Sequence, residues 1–157
     1  MGPDKIALTV NYPDSLMVVR FLEDLNQDEL VKGLIYAFND EATAYTLDWL
    51  VDLSPISEPL SAEKIRVIGR AWQRLARGRD VGKRTAYVSL DPVMRERLLL
   101  PNASPQYRTI CAFEDYAKAA AWLETFDGNL GSGHVQAIEL HVEIRVHCPP
   151  RACGGAV

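Results

Sequence analysis

Histidine and cysteine are scarce. The 157 residues hold three of each, and no histidine occurs before His134. No Ser-His-Asp or Cys-His constellation can therefore be assembled in the first 133 residues, and no G-x-S-x-G is present. A C-x-x-C pair is also missing. His141 and His147 lie six apart on one predicted strand, about 20 Å from each other, and cannot share an ion. His147, Cys148 and Cys153 could do so only if the Pro149-Pro150 loop folded back. The reading is no metal and no cofactor. Three cysteines without a leader-like segment argue against a disulfide framework. Cys111, inside a predicted strand, reads as a small core residue.

Long apolar runs are missing too. None approaches the ~20 residues that span a bilayer. The opening MGPDKIALTV has no apolar signal core. Cys153 is followed by four residues where a prenylation signal has three. The expectation is a cytoplasmic chain with no membrane insertion. Nucleotide loops are excluded as well: GNLGSG at Gly128 has no strand before it or helix after it, and GKRT at Gly82 lacks the phosphate-loop spacing. The acidic pairs Glu23-Asp24 and Asp40-Glu41 fall at element ends, where capping and solubility account for them. No enzyme is expected.

What is present suits one globular domain. The apolar fraction is 48% and the charged fraction 24%, and a chain of this length can bury roughly 70% of its unfolded surface. The net charge of −4 gives no general attraction to nucleic acid. Its distribution is uneven. Residues 1–60 carry 11 acidic and 3 basic groups, and residues 61–97 carry 4 acidic and 10 basic. Either both sets are solvated faces that pair in the fold, or the second is a basic patch for an anionic ligand or acidic partner.

Ile6, Leu8, Val10 and Tyr12 alternate with smaller or polar residues, the period of a half-buried strand. Pro13-Asp14 is a turn, and Leu16–Leu22 is its hairpin partner. Asn26 and Glu29 form a capping box for a helix with Leu30, Val31, Leu34, Ile35 and Phe38 on one face. Tyr45–Leu53 reads as a central strand. Ser61–Arg77 reads as a helix with an apolar stripe of Ile65, Ile68, Trp72 and Leu75, closed by Gly78. Arg66, Arg70, Arg74 and Arg77 cover much of its remaining circumference. Thr85–Leu90 is a strand, Asp91-Pro92 starts a short helix that stops by Pro101, and Arg108–Phe113 is another strand. Glu114-Asp115 opens a last helix with Tyr116, Ala119, Ala120 and Leu123 inward. The order predicts an α/β fold: a mixed sheet of about five strands, an N-terminal hairpin plus parallel strands, with about four helices.

The last thirty residues break the pattern. Residues 1–127 form the α/β domain, and 128–157 read as a linker, an extra C-terminal strand and a mobile tail. Ile138, Leu140, Val142, Ile144 and Val146 alternate with polar residues, and such a strand must pair with an edge, in its own chain or in a second copy. The second case gives a homodimer through the C-terminal strand.

The element order, the strand end Asp52-Leu53-Ser54, the helix opening on Ser61 and the stretch RTICAFEDYAKAAAWLETF together resemble the STAS superfamily, the bacterial anti-sigma-factor antagonists, over residues 5–127. The family's phosphorylatable antagonists typically read D-L-S-x-V-x-F-[IM]-D-S-S-G-L-G. Here the match begins at Asp52-Leu53-Ser54 and holds at Ile56. Leu60 then stands in place of the aspartate, Ser61 aligns with the first serine, Ala62 with the second, and Glu63 with the glycine. The second serine is the usual phosphate acceptor. The resemblance therefore implies a non-catalytic regulatory or protein-interaction module without that acceptor. Ser61 is either an N-cap or an acceptor in its own right, with Lys64 and Arg66 close by.

The candidate surface for a partner or an anion is thus Ser57, Ser61, Lys64, Arg66 and Arg70. The alternative is a binder of a small apolar ligand, its space lined by Trp49, Trp72 and Trp122.

Overall fold

A computed structural model describes residues 5–100 and 108–125. Five strands form one sheet: β1 (Ile6–Asn11), β2 (Leu16–Phe21), β3 (Asp48–Asp52), β4 (Arg84–Val88) and β5 (Thr109–Phe113). Their spatial order repeats their sequence order. β1 and β2 pair antiparallel, and every later pairing is parallel. The four helices are α1 (Gln27–Asp40), α2 (Ala62–Ala76), α3 (Pro92–Leu98) and α4 (Tyr116–Thr125). The chain is therefore an α/β fold with a mixed five-stranded sheet and four helices among the described residues. The expected C-terminal strand and tail lie outside those residues.

Stepping always in one direction across the sheet with right-handed crossovers puts successive helices on the same face. Met17, Val19, Phe21, Trp49, Val51, Tyr87, Ile110 and Ala112 share that face and pack with Leu30, Leu34 and Phe38 of α1, Ile65, Ile68 and Trp72 of α2, and Met94 and Leu98 of α3. β5 is the last strand among the described residues, and α4 packs on the opposite face of the sheet. There Leu50, Ala86, Val88, Cys111 and Phe113 meet Ala119, Trp122 and Leu123. β3 and β4 are covered on both sides, which accounts for their nearly continuous apolar runs.

Several boundaries differ from the sequence reading. Tyr45 and Thr46 lie not in β3 but in a 3-10 turn, Ala44–Thr46. The indole N–H of Trp49 donates to the Ala44 carbonyl at 2.8 Å and the Thr46 hydroxyl to Thr43 at 2.7 Å, which folds this segment back. In α4 the inward residues are Ala119, Trp122 and Leu123. Tyr116 is instead turned outward, with the Arg20 guanidinium 5.0 Å from its ring centre. Helix α2 ends one residue early. Arg77 takes the left-handed conformation at φ 50°, followed by Gly78 at φ 74°. Cys111 is fully buried, as a core residue should be, but it is also disulfide-bonded. Cysteine count alone carries no pairing information.

Phe38, Trp49 and Trp72 form a closed triangle of edge-to-face contacts, with ring centres 4.9 to 5.5 Å apart. Each such pair adds roughly 0.5–1.5 kcal/mol beyond the area it buries. Beside them sits a buried polar cluster. The Trp72 indole N–H donates to Asp80 Oδ2 at 2.7 Å, and Arg108 Nε lies 3.4 Å from the same oxygen. Arg108 also donates to the carbonyls of Arg84 and Leu47 and to the Thr85 hydroxyl. Its guanidinium thus ties together the N-terminal ends of β3 and β4. Burial pulls it down to about 10, against the pull of Asp80 and Asp48, so it stays cationic at neutral pH.

Candidate functional site

The loop after β3 and the start of α2 carry the candidate residues. The loop leaves the sheet through Asp52, whose carboxylate accepts from the Ser54 backbone N–H at 3.0 Å and from its hydroxyl. Ile56 and Leu60 are buried, so the loop is anchored from below at both ends. The Ser61 backbone is extended, and its hydroxyl accepts from the Lys64 N–H at 3.2 Å. Ser61 is therefore an N-cap, with Ala62 as the first residue of α2.

Three of the five candidate residues are engaged inside the molecule. The segment before α1 and its first turn hold the loop in place. Asp24 accepts from both the backbone N–H and the hydroxyl of Ser57. Gln27 accepts from the Ser61 N–H at 2.8 Å and donates to Glu58 at 2.7 Å. Lys64 pairs with Asp28. These bonds hold Asp24 and Asp28 below the ordinary carboxylate range, through the Ser57 and Lys64 hydrogen bonds respectively, and raise Lys64. The helix N-terminus thus faces acidic side chains, and the anion-binding reading loses Lys64 as a free cation. Sequence reasoning missed this clamp. Its partners lie 31 to 36 residues apart, and no local periodicity encodes such a contact.

Arg66 and Arg70 behave differently. Both are exposed, and neither makes a side-chain ion pair or hydrogen bond among the described residues. Arg77 is exposed in the same way, and Arg74 makes only a bond to the Arg70 carbonyl at 3.3 Å. At 100° per residue Arg66, Arg70 and Arg74 fall within an arc of about 80° on the side away from Ile65, Ile68 and Trp72, and Arg77 follows them as the left-handed C-cap. Glu63 is the only acid in that arc. Arginines four apart repel each other by a few tenths of a kcal/mol per pair. Arg66 and Arg70 are thus exposed on α2, while Ser57, Ser61 and Lys64 take part in the loop clamp.

All three tryptophans are buried. Trp49, Trp72 and Trp122 are 1%, 4% and 0% exposed. The cavity against Trp49, Trp72, Tyr87 and Arg108 measures about 20 Å³, room for a single water. A larger hollow of about 940 Å³ opens elsewhere, between α4 and the starts of β2–β4, with Leu16, Leu50 and Leu123 beside Asp48, Arg84 and Glu124. Among the described residues no group of three His, Cys, Asp or Glu is placed to hold a metal ion. No helix among them is long and apolar enough to cross a membrane. Compared with known proteins, the chain matches no family model, no curated protein and no solved structure.

Proposed function

We infer that the protein is a non-catalytic regulatory module that docks a protein partner through the outer face of α2. One observation carries this reading: Arg66, Arg70 and Arg74 share an arc of α2, Arg77 caps its end, and their charge is not met by any ion pair among the described residues. The partner is an acidic protein surface. A nucleic acid fits less well, since the chain is −4 overall and residues 1–60 are strongly acidic. The STAS kinship enters on the same footing. The ββαβαβαβα order and the capped helix directly after the third strand support it. Ala62 at the position of the usual acceptor makes this a member that works by docking rather than by phosphorylation at that site.

The test is affinity purification of the tagged chain beside an Arg66→Glu/Arg70→Glu variant. The unchanged chain should retain an acidic protein that the variant releases, with both giving the same circular dichroism and melting temperature. Equal retention by a folded variant would remove α2 as the docking face. The ligand-binding alternative, if correct, belongs to the 940 Å³ hollow rather than to the tryptophans. The charged groups there favour an amphipathic molecule. Native mass spectrometry of the purified chain without any bound mass would discard it.

A further inference from the structure

β1 is an open edge. In its pairing with β2, the Leu22 N–H donates to the Lys5 carbonyl at 3.0 Å, which marks Lys5 and Leu22 as a hydrogen-bonded pair. Such pairs alternate along an antiparallel ladder. Ala7, Thr9 and Asn11 therefore point their backbone groups at β2, in register with Arg20, Val18 and Leu16. Ile6, Leu8 and Val10 point theirs outward, and no other described strand pairs with them. Natural edges are commonly guarded by charge, proline or a bulge. Ile6–Asn11, IALTVN, contains none of these. The side chains of Leu8 and Val10 remain only partly buried against the core. Helix α1 runs along the same edge, tied to its start by Lys5–Glu29 and to its end by Tyr12–Glu41, and leaves Tyr36 51% exposed.

The edge is self-complementary about Leu8. Under a two-fold axis through that residue, Leu8 faces Leu8 of the partner subunit as a hydrogen-bonded pair. Ile6 then faces Val10 of the partner subunit, and Thr9 faces Ala7 of the partner subunit. Lys5 falls opposite Asn11 of the partner subunit, so no like charges meet. Ile6, Leu8 and Val10 project to the face that carries α1–α3, and in this register they would extend that apolar layer across the axis. A register displaced by one residue would oppose outward-pointing backbone groups to inward-pointing ones and lose the ladder. We propose that a second copy of this chain occupies the β1 edge, antiparallel and centred on Leu8, joining two sheets into one.

This differs from a dimer made by the C-terminal strand, which would leave β1 free or cover it with residues 134–147. Sedimentation and amide exchange of the full chain tell these apart. The expected result is a dimer in which the amides of Ile6, Leu8 and Val10 become protected as protein concentration rises. Leu8→Lys and Leu8→Glu should each sediment as monomers, and mixing the two should restore a dimer. Protection independent of concentration would show the chain covering its own edge and overturn the proposal. A monomer with rapid exchange at these three amides would also overturn it, as would a dimer that persists in both folded variants. If either variant fails to fold, the exchange measurement on the unchanged chain decides alone.

Discussion

Arg108 and Asp80 meet with side chains only 2% and 1% exposed, and removing one member of such a pair costs far more than replacing both. Asp80 holds both the guanidinium and the Trp72 indole on one oxygen. Asp80→Ala removes the carboxylate that faces Arg108 Nε and the Trp72 indole and should cost about 3–5 kcal/mol in urea denaturation. Trp72→Phe keeps most of the aromatic packing but strands part of the Asp80 carboxylate, at about 1–3 kcal/mol. The exposed clamp answers to pH instead. Asp24 and Asp28 have folded values below their usual 3.8, so their contribution is present above about pH 3.8 and lost as pH falls through the lower folded values. Hydrogen exchange at the Ser57 amide should accelerate over that acid range relative to the β3 amides. In Asp24→Asn the Ser57 amide should lose this pH step. Asp80 does not stand out in the sequence, and Asp24 reads there with Glu23 as an acid at an element end rather than as the partner of Ser57. Each acts on a residue reached only through the tertiary fold, and nothing in RGRDVGK or LEDLNQ distinguishes a structural acid from a solvated one.

At the scale of the element, local chemistry was legible and element ends were not always so. The Asn26–Glu29 capping box, the Ser61 cap and the Asp91-Pro92 start all occur, because each is decided within four residues. Strands β1, β2 and β5 followed from alternation or apolar runs. The start of β3 did not, because Leu47 and Trp49 carry a strand pattern while the Trp49 indole holds the Ala44 carbonyl in a turn. The apolar face of α4 was misplaced at Tyr116, which stacks on Arg20 from a different element. The cap makes a direct prediction for α2. Ser61→Ala should lower stability by about 1 kcal/mol, while Ser61→Asp, an equally good cap, should stay close to the unchanged chain. A Ser61→Asp variant that was as unstable as Ser61→Ala would mean the hydroxyl does more than cap.

For the whole molecule, charge separation is the property that the fold turns into a surface. The acidic first sixty residues meet part of the basic segment directly, at Lys64–Asp28 and Arg84–Asp48. They leave the arginine arc of α2 unmatched among the described residues. That the arginines avoid the apolar stripe of α2 was legible, although the sequence reading spread them over much of the circumference, whereas Arg66, Arg70 and Arg74 share one arc and Arg77 is the C-cap. Which basic residues would be consumed inside the fold was not, because pairing depends on where α1 lies against α2. The measurement that bears most directly on the docking account is the affinity of the captured partner for the purified chain, for Arg66→Lys/Arg70→Lys and for Arg66→Glu/Arg70→Glu, across a range of salt. The account predicts that the lysine variant keeps most of the affinity, that the glutamate variant loses about 100-fold or more, and that added salt weakens the first two steeply. Equal affinity for all three proteins, insensitive to salt, would contradict it.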